Sequence, residues 1–179
     1  MHQIRQHLTH KNGIKQQQVK IAFYWEGTTI TGFMPEKLSG VTKVIISTKC
    51  TVIRSDYAFL GTEDYRSFVA GIAEVEILNS VIEIGSYAFH NFTKLTSINI
   101  PSSITNIGIG AFYACSSLTS ITIPESVTNI GASAFWGISL ININFKGTMS
   151  EWNNITKLSN WNENSSITTI TCTDGIINL

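Results

Sequence analysis

Apolar residues recur along this chain in a fixed order that repeats, with polar and turn-forming residues between them. From Leu95 the sequence reads LTSINIPSSITNIGIGAFYACSS, and from Leu118 it reads LTSITIPESVTNIGASAFWGIS. A third copy, IAEVEILNSVIEIGSYAFHNFTK, opens at Ile72, and the three openings stand 23 residues apart. A looser copy starts at Val41 (VTKVIISTKCTVIRSDYAF) and is followed by an insertion over Leu60–Gly71. A truncated copy, LININF, opens at Leu140, and ITTITC from Ile167 repeats the opening pattern once more. Self-similarity at a period of this length is the mark of a repeat architecture.

Each offset in the repeat has a physical role. The opening L-x-x-I-x-I places apolar residues at offsets 0, 3 and 5, and the last two alternate with polar residues as a half-buried strand requires. Further apolar positions follow at offsets 9, 12, 16, 17 and 20: Ile104, Ile107, Ala111, Phe112 and Cys115 in the copy from Leu95. One unit cannot bury so many positions alone, and stacked neighbours turn them into a continuous column. Each buried aliphatic side chain contributes roughly 1.5–3 kcal/mol gross. Pro101 and Pro124 close the opening strand, because proline cannot extend a ladder. Gly85, Gly108 and Gly131 follow the offset-12 position, where a sharp turn with positive φ is expected. The Ala-Phe pair is expected on a short helical or 3₁₀ turn. Arg54 stands in the glycine place of the Val41 copy, so the turn there must differ.

This pattern divides the chain into a polar, basic leader (residues 1–18), an N-terminal cap hairpin (19–40), the repeats (41–146) and a C-terminal cap (147–179). The hairpin, VKIAFYWEGTTITGF, turns near Glu26-Gly27 with Ile21, Phe23 and Trp25 on one face. In the C-terminal cap, Thr148-Met-Ser-Glu151 has the form of a capping box that opens a short helix carrying Trp152 and Ile155. Trp161 lies in the following loop, Ile167–Cys172 forms a last strand, and Asp174-Gly175 is a turn.

Composition sharpens the picture. Charged residues make up only 13% of the chain, about half the usual share. Thr, Ser and Asn carry the polar load, which suits strand faces and turns. Net charge is zero, yet Arg5, Lys11, Lys15 and Lys20 fall in the first twenty positions with no acid among them. Such an arm could meet nucleic acid or an anionic surface, but a loosely ordered leader is the plainer reading, and nucleic acid is not expected as a partner. No run of 18 apolar residues occurs, so no membrane span is expected, and the N-terminus shows no hydrophobic signal region.

The string L-T-S-I-x-I-P-x-S-[VI]-T-x-I-G-x-x-A-F-x-x-C resembles the BspA-like leucine-rich-repeat family over roughly residues 41–145. The C-terminal KGTMSEWNNI…W…ITCTDG is similar to the end segment that many members carry. Together these readings give an α/β-type, β-rich repeat protein, a right-handed leucine-rich-repeat solenoid with stacked parallel strands and capped ends. The resemblance also implies a binding role. Family members are often bacterial cell-surface proteins in adhesion or host contact, and others lie inside cells.

Candidate chemistry is sparse. Cys50, Cys115 and Cys172 fall at core offsets and are read as small hydrophobes. His7 and His10 lie three apart without further ligands of suitable spacing. Glu74 and Glu76 share a strand face at a separation of roughly 7 Å, which would suit an inverting glycosidase pair. An open ladder lacks the pocket that would raise one pKa, so they read as surface charge. No nucleophile–base set, phosphate loop or dinucleotide fingerprint occurs, and no enzymatic activity, cofactor or metal is expected.

What remains is an interaction surface for a protein partner. Offsets 2 and 4 place Lys43 and Ile45, Glu74 and Glu76, Ser97 and Asn99, Ser120 and Thr122, Asn142 and Asn144, then Thr169 and Thr171 on the outward face of the strands. His90, Tyr113 and Trp136 form a column of rings, one per repeat, and the insertion offers Tyr65 and Phe68 as larger anchors. The expected function is a monomeric protein-binding module, adhesin-like or surface-associated. An intracellular regulator of a partner protein, or a purely structural repeat segment, are the alternatives.

Overall fold

The computed structural model describes residues 23–26, 29–33, 43–46, 52–53 and 69–179. Its elements in chain order are β1 (Phe23–Glu26), β2 (Thr29–Phe33), β3 (Lys43–Ile46), β4 (Val52–Ile53), β5 (Glu74–Ile77), β6 (Glu83–Ile84), β7 (Ser97–Asn99), β8 (Asn106–Ile107), β9 (Ile121–Ile123), β10 (Asn129–Ile130), β11 (Asn142–Phe145), α1 (Met149–Asn154), β12 (Thr156–Lys157), β13 (Thr169–Thr171) and β14 (Ile176–Asn178). Cys50, Tyr65, Phe68, the leader and most of the insertion lie outside the described residues, as do the side chains of Ile45 and of the β1–β2 hairpin.

The repeats stack as a β-solenoid with parallel strands, as their period predicts. The opening pattern of each copy supplies one strand of a first ladder: β3 pairs β5, β5 pairs β7, β9 pairs β11 and β11 pairs β13, all parallel and in register. The Ile pairs at offsets 3 and 5 point inward, so Val75, Ile121, Ile143 and Ile170 are all buried. A second ladder was not anticipated. The short strands β4, β6, β8, β10 and β12 pair parallel in unbroken order, with β2 joined to β4 and β1 antiparallel to β2. Its signal is the polar–polar–apolar triplet Thr105-Asn106-Ile107, repeated at Thr128-Asn129-Ile130, whose last residue is buried in each copy.

The third side of each coil is not helical. Bonds such as Ala88 N–H to Gly85 O and His90 N–H to Tyr87 O span three residues each and define consecutive β-turns. Two residues per coil adopt positive φ to keep these turns closed. One column comprises Tyr87 (56°), Gly110 (58°), Ser133 (53°) and Asn160 (60°), and the other Asn91 (63°), Ala114 (58°), Gly137 (67°) and Asn164 (52°). Neighbouring coils hold this conformation through main-chain bonds, including Phe89 N–H to Ala111 O and Phe112 N–H to Ala134 O, both 2.8 Å. Every third-side turn thus copies the one before it.

Gly85, Gly108 and Gly131 do not serve the predicted purpose, and Gly108 and Gly131 are needed for a different reason. None has positive φ. A Cβ on Gly108 would stand 2.6 Å from the carbonyl carbon of Gly85 and the nitrogen of Ser86, and one on Gly131 would stand 2.5 Å from the corresponding atoms of Gly108 and Ile109. Successive main chains approach here too closely for any side chain.

The core is one continuous cluster from Ile46 to Cys172. Phe89, Phe112 and Phe135 stack with ring centroids 5.6 and 5.5 Å apart, and Trp161 meets Phe135 edge-on to end the column. Trp152 on α1 packs against Trp161 and Phe145. The helix starts in a capping box: the Thr148 hydroxyl accepts from Glu151 N–H, and the Glu151 carboxylate accepts from Thr148 N–H at 2.7 Å. That bond to the Thr148 main chain holds the Glu151 carboxyl below its ordinary range. Beyond β13, the strand β14 returns antiparallel and closes the first ladder.

Candidate functional site

The hydroxyl-rich composition has a structural use before any functional one. Ser103 donates to Val81 O and Ser126 to Ile104 O, both at 2.6 Å, so the same serine in successive coils ties each coil to the one before. Thr105 donates to Ile82 O and Thr128 to Thr105 O, while Thr96 reaches Ala73 O. Each threonine hydroxyl adds a second bond to a carbonyl that already accepts from the main-chain N–H of the same threonine. They are staples between coils and take no part in the outward face.

On the first ladder the register brings the candidate residues into rows. Lys43, Glu74 and Ser97 form one, and the main chain of Ile45 aligns Glu76 and Asn99 in the next. The Lys43 ammonium lies 2.6 Å from Glu74 and 3.2 Å from Glu76. Its hydrogen bonds to Glu74 and then Glu76 raise its pKa above the ordinary value. The two carboxylates are therefore engaged by one cation, which supports their reading as paired surface charge.

At the other end, Asn142 is the hub of a second network. Its Oδ1 accepts from the Thr169 and Thr171 hydroxyls at 2.9 and 3.0 Å, and its Nδ2 donates to Asn144 Oδ1. These four side chains largely satisfy one another.

Between the two networks the ladder opens. β7 pairs with β5 and β9 pairs with β11, but β7 and β9 do not pair. Ile98 and Ile100 behind the opening are 9% and 8% exposed, against 0–1% for Val75, Ile77, Ile121 and Ile123. Ser97, Asn99 and Ser120 are exposed and Thr122 half-buried, and none of these side chains has a hydrogen-bond partner within the described residues. A shallow cleft of about 560 Å³ lies over this region, bounded by Glu74, Glu76, Ser97, Asn99, Thr122 and Lys146.

The ring column sits elsewhere, on the turn side. Tyr113 stacks on Trp136 at 4.2 Å between centroids, and His90 tilts onto Tyr113 at 5.1 Å. All three are half-buried, and none borders the strand-face cleft. Burial pushes the His90 pKa below its ordinary value. The rings shield the turns beneath them and present one edge to solvent.

A further cleft of about 290 Å³, which sequence reasoning missed, lies on the second ladder. It is lined by Glu83, Asn106, Asn129, Thr156 and Leu158 around the glycine column. Cys115 and Cys172 are buried and not disulfide-bonded. Cys115 lies against Phe89 O at 3.0 Å, and burial pushes its thiol up to about 12. No helix among the described residues is long and apolar enough to cross a membrane.

Comparison with known proteins agrees with this architecture. A leucine-rich repeat protein from Bacteroides ovatus ATCC 8483 superposes with a TM-score of 0.57 at 22% identity, over 86% of this chain and 40% of its own. This chain thus spans well under half the length of that relative. A leucine-rich repeat protein from Eubacterium ventriosum ATCC 27560 gives 0.48 at 20% identity over 76% of this chain and 41% of its own. The T. pallidum leucine-rich repeat protein gives 0.45 at 17%, over 83% and 82%. A search of curated proteins finds no match. The sequence model of the BspA type leucine-rich repeat region matches residues 28–156 in six copies. The chain belongs to the BspA type leucine-rich repeat family.

Proposed function

We propose that this chain is a protein-interaction module that engages its partner across the outward strand face, centred on the opening between β7 and β9. The observation that carries this reading is the contrast along the face. Lys43, Glu74 and Glu76 satisfy one another at one end, and Asn142, Asn144, Thr169 and Thr171 at the other. Among the described residues of this face, the middle leaves hydroxyl and amide groups at a concavity with no hydrogen-bond partner. Repeat solenoids use such extended ladders as binding surfaces. Small polar groups give complementarity more than energy, so larger contacts are needed as well, and the candidates for them are Trp136 and Tyr113 on the turn side and the insertion residues Tyr65 and Phe68. The family resemblance supports a surface-associated, adhesin-like setting for this binding.

The test is affinity capture with mass spectrometry from lysate and from cell-surface extract, run with the parent chain and three variants. The variants are Ser97→Arg with Asn99→Arg, Trp136→Ala, and a deletion of residues 1–18, each first shown to fold. A protein retained by the parent and lost with the double arginine variant supports the reading. Retention by that variant and by Trp136→Ala, with loss on deleting 1–18, would place function in the basic leader instead.

A further inference from the structure

The two ladders end differently at the C-terminal cap. The last strand of the second ladder, β12, is guarded. Lys157 folds its ammonium onto Trp152 O at 2.6 Å and Ile155 O at 3.0 Å, over the Trp152 ring. A lysine on an edge strand is a standard obstacle to further pairing. The last strand of the first ladder, β14, has no such guard.

The direction of its free main-chain groups follows from the register. Cys172 N–H donates to Gly175 O, and Leu179 N–H donates to Thr168 O. Ile170 stands opposite Ile177. In an antiparallel pair hydrogen-bonded positions alternate, so Gly175, Ile177 and Leu179 turn their groups toward β13. Ile176 and Asn178 turn theirs away, and neither meets a partner among the described residues.

The segment Gly175-Ile-Ile-Asn-Leu179 carries no charged side chain, no proline and no bulge. Ile176 is 60% and Leu179 55% exposed. The nearest charged side chain, Asp174, is committed elsewhere: its carboxylate accepts from Met149 N–H at 2.7 Å.

We propose that the free edge of β14 is a self-association site that pairs antiparallel with β14 of a second copy. A two-fold axis at Ile177 matches every free group. Ile176 N–H meets Asn178 O of the copy, Asn178 N–H meets Ile176 O, and both bonds recur by symmetry. Ile177 faces itself across the axis. Leu179 falls opposite Gly175, which has no side chain and lies against the Met149 thioether: a Cβ there would stand 3.0 Å from Met149 Cε. The exposed leucine of one copy thus comes opposite a glycine of the other, beside the apolar Met149 side chain. No side chain of the segment sets a charge against the same segment of the copy. The outward face remains open on both copies, so self-pairing and partner binding are separate.

Sedimentation velocity of the chain across a wide concentration range tests this, and a reversible monomer–dimer equilibrium is expected. Asn178→Pro removes an outward donor without touching a β13–β14 bond, and Ile176→Lys places a charge on the edge. Each should weaken the dimer by roughly tenfold or more, because each change counts twice across the axis. Both should melt like the parent. Ile177→Cys should form a covalent dimer on oxidation, since non-hydrogen-bonded partners stand about 4.5 Å apart at Cα, within disulfide reach. A chain that stays monomeric throughout overturns the proposal, including one that instead takes up an unrelated extended peptide. So does a dimer that both edge variants leave intact and Ile177→Cys fails to cross-link.

Discussion

The two ladders of this solenoid are built from the same repeated unit, yet the second runs unbroken from β2 to β12 while the first parts between β7 and β9. The difference lies in what holds successive coils together at each. Along the second ladder the glycine column lets main chains approach until no Cβ would fit. The main-chain bonds Gly108 N–H to Ile84 O and Gly131 N–H to Ile107 O, at 2.7 and 2.8 Å, then form beside it. Ser103 and Ser126 add a staple per coil at its entrance. The first ladder has ordinary side chains on both faces; besides its strand bonds and inward isoleucines, side chains tie its two ends, Lys43 to Glu74 across β3–β5 and Asn142 to Thr169 and Thr171 across β11–β13. Between β7 and β9 the strand bonds are missing, and no side-chain hydrogen bond among the described residues bridges these two strands. Rigidity is concentrated on one side of the coil, which leaves the other free to carry an irregular surface.

The largest effect expected from this comparison is at Gly131. Gly131→Ala would place a methyl group 2.5 Å from Gly108 C and Ile109 N, both main-chain atoms that cannot rotate aside. Forcing an extra carbon into a packed site costs about 1–3 kcal/mol, and here the second ladder must spread to admit it. Denaturant unfolding should show a lowered midpoint. An unchanged midpoint would mean that the coils are not held at this spacing, and the contrast between ladders would fall.

A smaller loss is expected at the staples. Ser126→Ala removes the 2.6 Å bond to Ile104 O and leaves that carbonyl, half-shielded at a turn, without its hydroxyl donor. Such a bond is worth about 0.5–1.5 kcal/mol net. The same measurement on Ser97→Ala, whose hydroxyl has no partner among the described residues, should shift stability by no more than about 0.5 kcal/mol. Equal losses at both would show that hydroxyls on the two ladders are not specialised.

Much of this fold was legible in residue order, because inward positions recur every 23 residues and a stack is the arrangement that buries them all. Strand starts near Glu74, Ser97, Ile121 and Asn142 follow directly from the L-x-x-I-x-I pattern. The glycines were legible as necessary but not for the right cause, since close main-chain approach and positive φ select the same residue. The true positive-φ positions include Tyr87, Ala114 and Ser133, types that give no such warning; only the stacked turn geometry reveals them. The second ladder was overlooked because two-residue strands are too short to show alternation. The opening at β7–β9 could not be read at all: Leu95-Thr-Ser-Ile and Leu118-Thr-Ser-Ile are the same four residues, and only the spacing of the coils distinguishes them. The outward candidates were therefore found by offset, but which of them lack a partner within the chain needed coordinates.

The finest test of the comparison lies within the first ladder itself. Asn142 binds two hydroxyls and one amide, bridging β11 to β13, whereas the amide of Asn99 on β7, beside the opening, has no partner among the described residues. Both are asparagines on outward strand positions, so helix or strand propensity does not separate them. Asn142→Ala strands Thr169 and Thr171, but both are only half-buried and can turn to water, so the loss should sit near the lower end of the hydrogen-bond range, about 0.5–1 kcal/mol. Asn99→Ala deprives no group among the described residues of a partner and should leave the unfolding midpoint unchanged within error. Its effect should appear instead in partner capture, where Asn142→Ala should bind like the parent. A stability loss at Asn99 matching that at Asn142 would mean the opening is closed in solution, and the first ladder would then be as continuous as the second.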